Sequence, residues 1–287
     1  MKNLVTPAWL ASHLGAAGLV IFDATKYLPN EPHDGLTKFR EAHIPGARFF
    51  DLDLYADQDT TLPHMVPTPG RFAKLIGAEG VENTTRIVFY DQKGVHSAPR
   101  GWWLMRLMGH EKVAVLDGGL PAWLKADLPI ALGDARAVTP TTFTPDFRAE
   151  RLKGIGDIKR IVAASGAEKG AEKDALILDA RAAGRFAGTA PEPRPGLPSG
   201  HMPGAASLPF LDLIASDGTM KPPDALRARF AQAGVDGTRP VVTSCGTGVT
   251  ACVLALGMVQ AGLPEPAIYD GSWTEWALRP ETPKATI

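Results

Sequence analysis

The sequence predicts an α/β fold in two tandem copies, each a parallel sheet with helices on both faces. Three observations carry that expectation. At 287 residues the chain exceeds the usual single-domain size. Short apolar, β-branched runs alternate with helical stretches, the order that builds parallel sheets. The second half also repeats the first: Leu178-Asp179-Ala180 answers Phe22-Asp23-Ala24, and His201-Met202-Pro203-Gly204-Ala205 answers His43-Ile44-Pro45-Gly46-Ala47. Val241-Val242 answers Ile87-Val88, and Asp270-Gly271-Ser272 to Trp276 answers Asp117-Gly118-Gly119 to Trp123, the four offsets being 156, 158, 154 and 153 residues. A period of that size marks a duplicated domain, not a solenoid.

Thr6 caps a helix with Pro7 at its first position, and that helix should end near Gly15. Leu19 to Phe22 reads as a buried strand ending at Asp23, followed by a polar loop rich in Pro and Gly to about Gly35. Arg48-Phe49-Phe50 is a second short strand, and Arg71 to Ala78 is helical. Ile87 to Tyr90 is a strand that opens into Asp91-Gln92-Lys93-Gly94 and a helix around Trp102 to Met108. Val113 to Leu116 is the next strand, and Asp117-Gly118-Gly119 turns into the segment holding Trp123. Leu132 to Gly156 is rich in Thr, Pro and Ala with weak periodicity and reads as a linker draped over the surface. The division expected is therefore 1–135, a linker at 136–156, and 157–287.

Chemistry concentrates in Ser244-Cys245-Gly246-Thr247-Gly248-Val249-Thr250-Ala251. An apolar strand ending in a small glycine-bearing loop and opening into a helix puts Cys245 at the carboxyl edge of a strand, beside a helix N-terminus. Orphan N–H groups and the helix dipole favour an anion there, the setting in which cysteines become thiolates. The two glycines let several N–H groups turn toward one sulfur, a nest for S⁻ or a persulfide anion. Cys252, two helical turns on among Ala, Val and Leu, reads as core. The repeat places Asp91 where Cys245 stands, so only the second half carries a sulfur nucleophile.

Lys and Arg number 30 against 31 Asp and Glu, with no basic run, which argues against a nucleic-acid partner. The start lacks the apolar stretch of a signal peptide, and no segment nears the ~18 apolar residues of a membrane span. Two cysteines, one in a reactive setting, point to a reducing compartment and a cytoplasmic location. The histidines show no ligand-like spacing with Cys or carboxylates, so neither a metal nor another cofactor is expected.

Both His-Ile/Met-Pro-Gly-Ala motifs, Asp270-Gly271-Ser272-Trp273 and the loop Cys245-Gly246-Thr247-Gly248-Val249-Thr250 resemble the tandem rhodanese-domain sulfurtransferases, and within them the 3-mercaptopyruvate sulfurtransferases. The likeness spans essentially the whole chain. It implies two tandem rhodanese-like domains and a cysteine persulfide formed in the C-terminal one. It further implies that Arg185 (Gly184-Arg185-Phe186) and Arg194 (Pro191-Glu192-Pro193-Arg194) hold the substrate. Guanidinium forks suit the coplanar carboxylate and keto oxygens of a pyruvate. From the first half the resemblance supplies Asp53 and His64, which with the loop hydroxyl form a Ser-His-Asp-like relay for the substrate's thiol proton. Here that hydroxyl belongs to Thr247, where the family usually has Ser, adding a methyl and a stiffer χ1. The relay places the active site where the two halves meet.

The expected reaction follows. Cys245 attacks the sulfur of 3-mercaptopyruvate, pyruvate leaves as its enolate, and the persulfide passes its outer sulfur to cyanide or a thiol acceptor, a small thiol or thioredoxin. Gly246, Gly248, Val249 and Thr250 contribute backbone N–H groups to the anionic sulfur. Three rivals exist. Thiosulfate enzymes of this family place basic residues after the cysteine, whereas Gly246 and Thr247 offer the donor no cation beside Cys245. A Cys-x5-Arg phosphatase fails because the sixth residue after Cys245 is Ala251. A non-catalytic rhodanese-like binding module is disfavoured by the intact cysteine and both arginines.

Overall fold

The computed structural model describes residues 1–165 and 175–287. Its two compact units follow the halves of the sequence with two short exchanges. The first comprises Met1–Thr60, Val66–Ala149 and Ala215–Met220, and the second Thr61–Met65, Glu150–Ile214 and Lys221–Ile287.

The first unit runs β1 (Leu4–Val5), α1 (Pro7–Ala11), β2 (Leu19–Asp23), α2 (Gly35–Glu41), β3 (Arg48–Phe49), α3 (Pro69–Ala78), β4 (Arg86–Tyr90), α4 (Ala98–Leu107), β5 (Val113–Leu116) and α5 (Gly119–Lys125). Its five-stranded sheet has the order β1-β5-β4-β2-β3 with every pairing parallel. The Thr6 hydroxyl accepts the Trp9 N–H, as the cap predicts, but α1 stops at Ala11, and turns with Gly15 at φ +73° complete the stretch. α2 forms at the end of the polar loop, started by the Asp34 carboxylate on the Thr37 N–H. It escapes the periodicity because Phe39 is its one buried side chain. α4 starts earlier than the sequence suggests, with Pro99 in its first turn, where a missing N–H costs nothing. It lies so close to β4 that a Cβ on Gly101 would stand 2.4 Å from the Phe89 ring.

The second unit runs β6 (Leu152–Lys153), α6 (Ile155–Ser165), β7 (Leu176–Asp179), α7 (Ala183–Ala187), β8 (Ala206–Ser207), α8 (Pro223–Gln232), β9 (Val241–Ser244), α9 (Ala251–Gln260), β10 (Ala267–Tyr269) and α10 (Ser272–Leu278). Its sheet, β6-β10-β9-β7-β8, repeats the first strand for strand and is likewise all parallel. β6 and the start of α6 lie inside the stretch 136–156 that composition marks as linker. A two-residue strand is too short to show a period, and β10 supplies its ladder through Ile268 opposite Leu152.

The repeat extends to side chains. His43 stacks on Phe39 with ring centroids 4.1 Å apart and His201 on Phe186 at 4.0 Å, each Nδ1 bonding the carbonyl of its own phenylalanine at 2.9 Å. Trp123 Nε1–H donates to Pro129 O, and Trp276 Nε1–H to Pro283 O, both at 2.8 Å. The motif histidines are thus framework, each tying a helix to the loop before a strand.

Candidate active site

β9 is central in its sheet and wholly buried, and Cys245 is the next residue, 2 % exposed. The loop from Cys245 turns through Gly248 at φ +77° into α9, whose long buried face seats it on the sheet. Cys252 is fully buried on α9, its thiol donating to Gly248 O at 3.2 Å, in keeping with a core role.

The loop is clamped from the start of α10. The Cys245 N–H donates to Ser272 Oγ at 3.1 Å, and that hydroxyl donates to Tyr269 O at 2.8 Å. Cys245 O and Gly246 O accept the N–H groups of Trp273 at 2.9 Å and Thr274 at 3.0 Å. Ser272 adopts φ +51°, an uncommon conformation for a residue with a side chain, held by these bonds. The sequence marks Ser272 only as part of a repeated motif; its grip on the cysteine is a tertiary fact.

Thr247 Oγ1 lies 2.9 Å from His64 Nδ1, a hydrogen-bonding distance, and His64 is buried with its backbone at φ +60°. The chain segment carrying His64 belongs to the second compact unit although it comes from the first half of the sequence. The ring presents Nδ1 to the hydroxyl, not the Nε2 familiar from serine hydrolases. Asp53 lies in the first unit with its carboxylate largely exposed and ion-paired to Lys26. Its part in a relay rests on the resemblance alone.

Arg185, on α7, donates through Nε and Nη2 to the two oxygens of Glu192 at 3.1 and 2.5 Å. A Cβ on Gly246 would sit 3.1 Å from Arg185 Nη2. Gly246 and Thr247 bring no cation of their own, and the guanidinium that stands against Gly246 comes from Arg185 on α7. Glu192 also accepts from Arg181 Nη1 at 2.8 Å, and Arg181 in turn binds Asp179 at 2.6 Å and Gly200 O at 2.7 Å, under the Trp273 ring at 4.5 Å. Burial works against the charge on Arg181, but Asp179 and Glu192 outweigh it and leave its pKa raised. Arg194 lies half-buried two residues beyond Glu192. The sequence displays Glu192 only as a neighbour of Arg194; the sign that could have singled it out is an acid between two prolines next to candidate anion-binding arginines.

The equivalent position in the first unit shows what such a loop holds. Asp91 follows β4 as Cys245 follows β9, and its Oδ2 accepts the N–H groups of His96, Ser97 and Ala98, each at 2.9 Å, while Oδ1 accepts that of Lys93 at 3.0 Å. In the first unit the turn between strand end and helix start is therefore an anion nest filled by a carboxylate, and the matching turn of the second unit carries a thiol at its root. Where Asp179 has Arg181, Asp23 has Thr25 and Gln92. The first unit lacks both the sulfur and this arginine. Among the described residues no group of three or more His, Cys, Asp or Glu could hold a metal ion, and no helix is long and apolar enough to cross a membrane.

Two all-parallel sheets of the same strand order, whose central strands lead into a carboxylate nest at Asp91 in one unit and a buried cysteine in the other, define the class, and the rhodanese-like domain family matches residues 6–126 and 163–279. The chain belongs to the rhodanese family. It is 42 % identical to a human protein named 3-mercaptopyruvate sulfurtransferase, covering 97 % of this chain and 93 % of that one. A mitochondrial thiosulfate/3-mercaptopyruvate sulfurtransferase of Arabidopsis thaliana is 40 % identical over 100 % of this chain and 79 % of its own. Among solved structures, the 3-mercaptopyruvate sulfotransferase SseA of Escherichia coli superposes with a TM-score of 0.84 at 35 % identity, covering 95 % of this chain and 99 % of that one.

Proposed function

We propose that the protein is a sulfurtransferase that takes sulfur from 3-mercaptopyruvate onto Cys245 and delivers it to a thiol or to cyanide, releasing pyruvate. The observation that carries this reading is the Arg185 guanidinium against Gly246, which offers a carboxylate-bearing donor a cation one residue from the nucleophile. The names of the relatives in human and Escherichia coli support the same donor.

In the reaction the Cys245 thiolate attacks the donor sulfur. A new S–S bond forms, the C–S bond breaks, and its electron pair leaves with pyruvate as the enolate, which is protonated at carbon. The hydrogen-bonded pair Thr247–His64 handles the thiol proton of the donor, with Asp53 as the further member that the resemblance supplies. The persulfide's anionic outer sulfur turns into the N–H groups of Gly246, Gly248, Val249 and Thr250, as the Asp91 carboxylate does in its own loop. An acceptor thiolate or cyanide then attacks that outer sulfur and regenerates the Cys245 thiolate. A small thiol or a thioredoxin-type protein fits the acceptor role. The chemistry requires a compartment where thiols stay reduced, which the cytoplasm provides.

Thiosulfate is the second reading, supported by the double donor name of the Arabidopsis relative. Steady-state rates with 3-mercaptopyruvate and with thiosulfate, side by side with cyanide as acceptor, test the choice. A higher kcat/KM for 3-mercaptopyruvate supports the proposal. Preference for thiosulfate overturns the donor, and absence of turnover with both overturns the activity.

A further inference from the structure

The cation beside the cysteine is not a bare positive charge. Arg185, Glu192, Arg181 and Asp179 form one chain of ion pairs with two charges of each sign. Arg181, Asp179 and Glu192 are sealed from solvent, with side chains 0, 0 and 2 % exposed, while Arg185 is 19 % exposed and is the one that reaches Gly246. Glu192 takes the Nε–Nη2 side of the Arg185 fork, so a donor meets only the Nη1–Nη2 end. Buried pairs are screened little by salt, so this compensation is felt at the nest.

We infer that Glu192 sets the donor's charge class: by neutralising the Arg181–Arg185 pair and fixing which edge of Arg185 is offered, it selects a monoanionic carboxylate donor over a dianion such as thiosulfate. This deepens the sulfurtransferase reading and rests on it. Glu192 acts through Arg185 as a positioning residue. A second negative charge on the donor gains little from a charge-balanced network, whereas a pyruvate carboxylate is satisfied by one fork edge. A Cβ at position 246 would stand 3.1 Å from Arg185 Nη2, so a side chain there presses on the guanidinium itself, whereas the acid that Arg185 shares tunes the charge of the site from behind.

The test compares wild type with Glu192→Gln, which keeps the size and removes the charge, and with Glu192→Asp, which keeps the charge. Two readouts are taken: kcat and KM for 3-mercaptopyruvate and thiosulfate, and calorimetric binding of pyruvate and of sulfate to the full chain. Glu192→Gln is expected to raise the thiosulfate to mercaptopyruvate ratio of kcat/KM about tenfold, chiefly through KM for thiosulfate, and to tighten sulfate about tenfold relative to pyruvate, the scale of one charge-assisted contact. Glu192→Asp should leave the ratio near that of wild type even where kcat falls. An unmoved ratio in Glu192→Gln, an equal shift in Glu192→Asp, or an equal loss of both donors with unchanged anion binding overturns the inference. Should Glu192→Gln not fold, wild type decides, because sulfate binding about tenfold tighter than pyruvate contradicts a neutralised site. Wild type that turns over neither donor removes the sulfurtransferase reading, and the anion-binding comparison still decides the role of Glu192.

Discussion

At the scale of single residues, the two cysteines differ in what surrounds them. Cys245 follows a strand end and is clamped through its backbone by Ser272, whereas the Cys252 thiol is spent on Gly248 O inside α9. Cys245→Ser is expected to abolish sulfur transfer and Cys252→Ser to retain most of it, and mass spectrometry after donor treatment should find about 32 Da, one sulfur, on the Cys245 peptide. Sulfur on Cys252 instead would contradict the assignment. Thr247 shares its hydroxyl with His64, so Thr247→Val should slow mercaptopyruvate turnover while Thr247→Ser preserves it; equal rates in the two variants would remove the hydroxyl from the mechanism. Arg185→Ala deletes the cation beside Gly246 and should lower kcat/KM for mercaptopyruvate by roughly ten- to a hundredfold, the worth of about 1.5–3 kcal/mol for a charged hydrogen bond. Unaltered kinetics would mean that the donor carboxylate lies elsewhere.

At the scale of elements, the strand-loop-helix unit is used twice with different contents. Asp91 terminates β4 and supplies the anion that the turn into α4 needs, four N–H groups converging on one carboxylate. Asp91→Ala leaves those donors buried without it and is expected to destabilise the protein by about 3 kcal/mol or more, read from the midpoint of a denaturant titration. A shift under about 1 kcal/mol would show that the nest does not depend on its anion. One strand away, burial holds Asp23 at a pKa of about 6 against hydrogen bonds from Thr25 and Gln92 that act the other way. An acid whose folded pKa exceeds its unfolded value binds more protons folded than unfolded between the two. Stability therefore falls as pH rises from about 4 to about 6, by an amount on the order of 3 kcal/mol, and is level above. The free energy of Asp23→Asn relative to wild type should shift in favour of the variant by that order over this window; a difference independent of pH would show that Asp23 titrates normally.

At the scale of the whole molecule, the duplicated halves form two sheets of identical strand order, and only the second has a cysteine at the end of its central strand. The framework contacts, histidine on phenylalanine and tryptophan on a proline carbonyl, recur in both units although the phenylalanine lies 4 residues before its histidine in one and 15 before it in the other. The first unit has Asp91 where the second has Cys245, and Thr25 and Gln92 on Asp23 where the second has Arg181 on Asp179. The exchange of Thr61–Met65 into the second unit places His64 with Thr247, so that hydrogen bond joins the two halves of the sequence within one unit.

The sequence by itself determined the α/β class, the duplication and the position of Cys245 between a strand and a helix, because these depend on periodicity and turn chemistry within a few residues of one another. It left α2 and β6 unseen, since one buried side chain or a two-residue strand carries no period. Only the tertiary structure decided that Ser272 holds the Cys245 backbone, that His64 reaches a hydroxyl 183 residues away, and that Arg185 stands against Gly246 with its charge shared through Glu192. Each of these joins groups brought together by packing on one sheet, through α7, α9 and α10 and, for His64, the segment Thr61–Met65. Local sequence pattern cannot encode that choice, because a side chain's partner across a packed layer depends on the burial of every element between them.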